Sequence, residues 1–358
     1  METCSMKGEG KWVIARHSRT FGGKSQIADV IWSRFGDTPN YVEGFFGSGA
    51  VLLNRPHWQP EKSMIETVND LSGFIANFWR AVQADPDQVS HYADWIVSES
   101  DLHARHGWLV RQAVDLSAKL EGDPDYYDPK IAGWWVWGAA CWIGGGWCSG
   151  RGPWQQVETA DGWRLVNTGT DGEITKKLVH LGGAGQGVKR ARVHLTGAGQ
   201  GNAGEGEQGL YAWMQALSER LARVRVCCGD WSRVCGPTPT FKNGLTSVFL
   251  DPPYSESVGR DMDLYEIDLK HEKNQLNINE LVYAWCRSNE DNPLLRIALA
   301  GYDGEYDLPG WDCVAWKTNG GYGNHGNGRG RDNADREKVW FSPNCLQPAS
   351  EYVNLSLF

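Results

Sequence analysis

Ser247-Val248-Phe249-Leu250 runs directly into Asp251-Pro252-Pro253-Tyr254. The first four residues are apolar enough for a strand buried on both faces. Neither proline has an N–H to give to a ladder, so the strand must end at Asp251. The chain leaves the sheet with an acid, two backbone carbonyls and an aromatic ring gathered at the strand's carboxyl end. In open α/β sheets ligands sit beyond that end. Taken alone, the tetrapeptide reads equally as a strand-ending turn.

Working outward, 358 residues suffice for one large domain or two ordinary ones, and 41% hydrophobic content supports a core. The formal charge of -9 gives no global basic footprint, so any nucleic-acid contact must come from local basic patches. Tryptophan is abundant at 19 residues, which favours buried or stacking aromatic surfaces. The nine cysteines contain no C-x-x-C pair. Their spacing fits neither a zinc site nor a disulfide framework, and no metal is expected. Reduced, buried thiols in a cytoplasmic protein are the reading. Residues 1–11 carry no apolar core and are not a signal peptide. Ile131 to Trp147 is uncharged but short and rich in Gly and Trp, which reads as buried or interfacial, with no membrane span.

Toward the N-terminus, Thr20-Phe21-Gly22-Gly23-Lys24-Ser25 imitates the end of a phosphate loop, yet Ser18 stands where the full motif needs Gly. A nucleotide triphosphatase is therefore disfavoured. Ile27, Val30, Ile31 and Phe35 keep helical spacing after Lys24. Lys24 reads as an anion contact at a helix start, or as a solvated surface lysine. Tyr41-Val42-Glu43-Gly44-Phe45-Phe46-Gly47-Ser48-Gly49 is a short strand entering a glycine-rich turn, where the backbone can approach a ligand closely. Met64 to Val68 reads as a second strand, and Leu71, Phe74, Ile75, Phe78 and Val82 mark an amphipathic helix. Asp70 lies between them, about twenty residues past the glycine turn. It reads either as a grip on a ribose hydroxyl pair or as a helix N-cap.

What chemistry wants Asp251 beside such a loop? An exocyclic nucleobase amine is a poor nucleophile, because its lone pair is delocalised into the ring. A carboxylate and the Pro252 carbonyl can each accept one amine hydrogen and return density to nitrogen. A Tyr254 face can stack on a base that has left the duplex.

The glycine turn, the strand-end acid and the D-P-P-Y stretch stand in an order that resembles the D12 class of DNA adenine-N6 methyltransferases, the Dam-type enzymes. The resemblance spans roughly 12–83 and 224–345. It implies a Rossmann-like S-adenosylmethionine-dependent sheet and methyl transfer to adenine in double-stranded DNA. By that resemblance Gly23 and Lys24 meet the methionine end of S-adenosylmethionine. Glu43, Phe45, Gly47 and Gly49 line its loop, and Asp70 holds the ribose. Asp230, with Trp231 nearby, takes the cofactor's adenine amine. Asp251, Pro252, Pro253 and Tyr254 form the catalytic tetrapeptide, with Asp251 also beside the cofactor. Thr20 departs from the family, which carries an aromatic residue there. Asp251 stands where enzymes acting on protein glutamine carry Asn. The rival functions are a same-fold methyltransferase acting on RNA or another base, and a non-catalytic nucleic-acid binder. A separate restriction partner is compatible with the sequence, which shows no nuclease motif.

Residues 84–210 separate the early motifs from the late ones and read as an inserted target-recognition region projecting from a catalytic domain of 1–83 and 211–358. Asp85 to Leu120 looks helical. Two tryptophan clusters follow, at 133–137 and 141–147, with core the favoured reading over a base-stacking platform. Val179-His180-Leu181-Gly182 to Gly187 recurs as Val193-His194-Leu195-Thr196 to Gly201. Lys176, Lys177, Lys189, Arg190 and Arg192 flank the copies and are candidate phosphate contacts. A linker with solvated charges is the alternative.

Beyond it, Leu210, Trp213, Met214, Leu217 and Leu221 keep helical spacing, and Val224 to Cys228 reads as a strand ending near Asp230. Ser255 to Asn277 is polar, Asn279 to Arg287 looks helical, and Leu294 to Ala300 reads as a buried strand. Trp311–Trp316 and Glu337–Phe341 read as a closing antiparallel hairpin. The Gly-rich, Arg-bearing 319–336 between them reads as a DNA contact or a plain hairpin tip. The expected fold is α/β, a mostly parallel sheet with helices on both faces.

Overall fold

The computed structural model describes residues 23–59, 64–141, 147–148, 154–159, 162–167, 206–253, 278–316 and 337–347. Tyr254, the five basic residues between Lys176 and Arg192, the internal repeat and the loop 319–336 lie outside them.

Seven strands form one sheet: β1 Asn40–Glu43, β2 Ile65–Asp70, β5 Val224–Cys228, β6 Thr246–Leu250, β7 Leu295–Tyr302, β8 Asp312–Ala315 and β9 Glu337–Phe341. Their order is β5-β2-β1-β6-β7-β9-β8. The first five run parallel, and β9 lies antiparallel to both β7 and β8. Successive strands step one way from β1 to β2 and the other way from β6 to β7. The order therefore reverses between β1 and β6, which is where an open α/β sheet leaves a crevice for a ligand. Register pairs Glu43 with Phe249, so Asp251 emerges beside the loop that follows Glu43.

Every residue of β6 is buried, as a central parallel strand requires. The strand's alternation divides the core. Phe249 joins an apolar cluster with Tyr41 and Val68, while Val248 and Leu250 join Val42, Ile297 and Leu299 on the other face.

Helix α1 (Ala28–Phe35) buries Ile31, Trp32 and Phe35, and α2 (Ala50–Leu53) is buried throughout. Helix α3 (Gly73–Ala84) carries Phe74, Phe78 and Trp79 inward. Helices α4 (Pro86–Ala93), α5 (Glu99–Gly122) and α6 (Pro129–Cys141) occupy the helical half of the stretch expected to project. They do not stand apart. Leu102, Leu109, Leu116 and Leu120 of α5 and Ile131, Trp135 and Trp137 of α6 share one apolar cluster with α1, α3 and β1. Their leucines and tryptophans need a partner surface, and α3 with α7 (Gly206–Leu221) supplies it. The sequence reading placed no strands here, yet β3 (Trp154–Thr159) and β4 (Gly162–Asn167) pair antiparallel as a separate two-stranded sheet. The sequence carries Asp161-Gly162 where β4 begins, a dipeptide that signals a hairpin. Helix α8 (Ser232–Cys235) follows β5, and α9 (Ile278–Asn289) precedes β7. All eight described cysteines are free thiols, and only Cys313 is exposed. Among the described residues no helix is long and apolar enough to cross a membrane.

Helix α7 is locked to β2 by charge. Glu66, 3% exposed, accepts from Arg220 Nη1 at 2.7 Å, Arg220 Nη2 at 2.9 Å and Arg55 Nη1 at 3.0 Å. Arg220 also donates to the Leu52 carbonyl at 3.0 Å, and Arg55 donates to the Thr38 carbonyl. Removing the one carboxylate leaves the buried Arg220 without its counter-charge and Arg55 with only Asp37, 3.9 Å away. Glu66→Ala is expected to cost about 3–5 kcal/mol of unfolding free energy. Chemical denaturation checks this, and an unchanged midpoint would show that the cluster contributes nothing.

Candidate active site

Four chain segments meet at the carboxyl ends of the strands. Lys24 lies in a 3₁₀ turn, Gly23–Gln26, just before α1. Its ammonium is neither solvated nor at the start of the helix. Nζ sits 3.2 Å from Asp251 Oδ1 and 3.1 Å from Glu337 Oε2, over the Trp316 ring at 5.1 Å. The three side chains are 11%, 25% and 10% exposed, so this contact is poorly screened by solvent. The last strand thus delivers an acid, Glu337, that the sequence reading did not single out.

Glu43 closes β1 in full burial and accepts the Tyr41 hydroxyl at 2.8 Å. Burial pushes its carboxyl well above the usual carboxylate range, and the nearby negative charges of Asp251 and Asp70 push the same way against the Tyr41 bond. Burial likewise raises Tyr41, with Glu43 adding to it.

The loop after β1 takes its shape from glycines and from Asp70. Gly47 has φ +47° and Gly49 φ +65°, a region costly for residues with a side chain. The Phe46 ring lies only 2.9 Å from where a Cβ on Gly49 would stand, whereas Gly47 faces open space. Asp70 Oδ2 accepts the Gly47 N–H at 2.8 Å, and Oδ1 accepts the Ser72 N–H at 2.9 Å. Asp70 is therefore not the N-cap of α3, a position held by Ser72. It ties the glycine loop to the helix start.

Asn69, 1% exposed, donates to the carbonyls of Gly44 at 3.2 Å and Gly229 at 2.8 Å. It clamps the ends of β1, β2 and β5 together. The Gly229 N–H returns a bond to the Asp70 carbonyl at 3.1 Å. That turn brings in Asp230, whose Oδ1 accepts the Ser232 N–H at 2.9 Å and the Ser232 hydroxyl. Trp231 is 5% exposed, stacked under Phe45 with ring centroids 6.0 Å apart and edge-on to Trp285. Phe45 presents the more accessible ring, and Trp231 supports it from beneath.

The prolines are braced from α9. Asn279 Nδ2 donates to the Pro253 carbonyl at 3.0 Å, and Tyr306 donates its hydroxyl to Asn279 Oδ1 at 3.2 Å. No described residue donates to the Pro252 carbonyl. Burial first, then nearby acids including Asp251, raises the Tyr306 hydroxyl and keeps it a donor.

Lys24, Glu43, Phe45, Gly47, Asp70, Asp251 and Pro252 thus converge, with Asp230 on the adjoining turn. Glu337, Asn279, Asn69 and Tyr306 join them unforeseen. Their partners lie far along the chain, and a buried polar residue opening or closing an apolar element was the only local signal. Among the described residues no group of three His, Cys, Asp or Glu could hold a metal ion.

Burial raises Glu43, so the folded chain binds a proton that the unfolded chain releases. That stabilisation is full below the unfolded carboxylate pKa and declines as pH climbs toward the raised folded value. Glu43→Gln stays neutral throughout. Without ligand, its melting temperature should gain on the parent protein's as pH rises from about 5 to about 8. Calorimetry across that range checks it, and a gap independent of pH would show that Glu43 ionises normally.

Compared with known protein families, residues 21–109 match the D12 class N6 adenine-specific DNA methyltransferase family. The match implies an enzyme of S-adenosylmethionine-dependent adenine methylation in DNA. It covers Lys24, the glycine loop and Asp70, and stops before Asp251. No curated protein matches the chain.

Proposed function

From membership of that match we propose that this chain methylates the N6 amine of adenine in double-stranded DNA at a defined site, with Asp251 and the Pro252 carbonyl as the groups that hold the amine. The observation that carries the reading is the 3.2 Å contact between Lys24, inside the matched segment, and Asp251, far outside it. A loop matched to a methyl-donor-dependent family and a strand-end D-P-P stretch thereby share one crevice. The sheet order, with its reversal between β1 and β6, supports a Rossmann-like methyltransferase fold.

S-adenosylmethionine, when bound, supplies an electrophilic methyl on a sulfonium. The residues present suit it. Gly47 offers a backbone edge facing open space, Asp70 beside it is the proposed ribose contact, and Phe45 has an accessible ring braced by Trp231. Asp251, Glu337, Glu43 and Asp70 crowd carboxyl groups around Lys24, and that acidic excess favours a cationic ligand. Gly23, Gly49 and Asp230 shape the surrounding turns.

Asp251 and the Pro252 carbonyl would each accept one hydrogen of the amine, raising electron density on nitrogen for in-line attack. Asp251 need not be a strong base, since the amine proton becomes acidic only after methyl transfer. Asn279 donates to the Pro253 carbonyl, and the Pro252 carbonyl is the proposed acceptor for the amine. Lys24 must yield part of its hold on Asp251 for the carboxylate to serve the amine, and Glu337 gives it somewhere to stay. Tyr254 is the proposed stacking face for the everted base. Residues 84–210 are proposed as the recognition region, anchored by α4–α6, with the β3–β4 hairpin and Lys176, Lys177, Lys189, Arg190 and Arg192 reaching DNA.

Asp251→Ala is expected to abolish methyl transfer while retaining most cofactor binding. Asn279→Ala should cut kcat by about 10–100-fold through misplacement of the carbonyls. A methyl-transfer assay with nucleoside digestion of the product checks both, alongside cofactor titration. Normal turnover by Asp251→Ala, or a product other than N6-methyladenine, would overturn the reading. For the recognition region, replacing Lys189, Arg190 and Arg192 with Ala should flatten the salt dependence of DNA affinity by about 2–3 units of slope. An unchanged slope would remove these residues from the phosphate contacts.

A further inference from the structure

A second pocket lies outside the strand-end crevice, among α4, α5 and α6, with a volume of about 450 Å³. Its walls are Tyr92, Trp95, Trp108 and Trp134, and its polar groups are Asp101, Arg105 and Arg111. Arg105 is 7% exposed, and its guanidinium lies 4.9 Å from the Trp95 ring, 5.0 Å from Trp134 and 4.3 Å from Trp137. Its Nη1 is buried with no hydrogen-bond partner among the described residues. A guanidinium N–H in that position is costly to leave unmade, and indole faces stabilise the charge without accepting a directed hydrogen bond. Burial draws the Arg105 pKa downward, opposed by Asp101.

The aromatic wall is open on one side. Trp95 is 48% exposed and the adjoining Ile96 58%, and Trp95 Nε1 donates to Asp101 Oδ2 at 2.9 Å. The Lys130 ammonium covers Trp108 at 4.7 Å and Trp134 at 4.4 Å. Flat rings and cations together, in a space too small for a protein element, match a flat ring that carries an anion. We propose that this pocket binds a single unpaired nucleotide unit. Its base stacks on the exposed face of Trp95, an acceptor on its edge reaches Arg105, and its phosphate lies toward Arg111.

Next to the pocket's arginine, α5 carries a second buried contact. The backbone N–H of Cys148, just before the β3–β4 hairpin, donates to His106 Nδ1 at 3.4 Å, and His106 adjoins Arg105 on α5. Burial lowers His106 to about 4, so it stays a neutral acceptor at neutral pH. The proposal does not depend on Asp251 or on methyl transfer.

The test is equilibrium dialysis of labelled deoxyadenosine monophosphate and, separately, of a short single-stranded oligodeoxynucleotide against the full-length protein. Trp95→Leu and Arg111→Glu, both at exposed positions, should bind at least about tenfold more weakly. Arg105→Met should do the same where circular dichroism shows it folded, and the two rim variants decide the matter where it is not. Binding of the mononucleotide marks a free nucleotide as sufficient, and binding of the oligonucleotide alone marks a strand as the source. Unchanged affinity in both rim variants, or no binding of either probe, overturns the proposal.

Discussion

One ammonium holds the crevice together. Lys24 stands between Asp251, at the end of a central parallel strand, and Glu337, at the start of the antiparallel strand β9. Those acids come from β6 and β9, and Lys24 comes from the turn before α1. Glu43 and Asp70 stand close enough to perturb each other electrostatically, so carboxyl groups outnumber this ammonium. The fold meets that repulsion in two ways. Burial disfavours the ionised form of Glu43, and Asp70 accepts from two backbone N–H groups. Enough negative potential is left over to favour a positively charged ligand.

Much of this was readable along the chain. The prolines after Leu250 stop a strand at Asp251 because they cannot donate to a ladder, and the glycines at 47 and 49 occupy the left-handed region that their spacing after β1 suggests. The strand-end position of Asp70 was visible, but its hydrogen bonds to Gly47 and Ser72 were not. Glu337 begins an unremarkable apolar strand, Asn69 sits between a strand and an acid already noticed, and Asn279 opens an ordinary amphipathic helix. What makes these residues matter is a partner elsewhere in sequence, and no periodicity or spacing carries that information.

The helices after α3 are an instructive difference. Their position between the early and the late motifs suggested a unit set apart from the sheet. Yet the leucines at 102, 109, 116 and 120 recur on helical spacing and are all but fully buried. Exposed charge describes the outward face of a helix and says nothing about what its inward face covers. The tryptophans of α6 divide in the same manner: Trp135 and Trp137 fill the core, while Trp134 lines a pocket.

The cluster of Glu66 with Arg55 and Arg220 carries a consequence for how such a chain can diversify. It fastens the helix that re-enters the sheet layer to a strand formed long before. With α6 packed at one end and α7 riveted at the other, the stretch from 142 to 205, which includes the β3–β4 hairpin, has both its ends fixed. Lengthening a loop whose ends are already fixed costs little free energy. The intervening sequence is therefore at liberty to drift, duplicate short segments, or be exchanged for another, while the sheet beneath it is undisturbed.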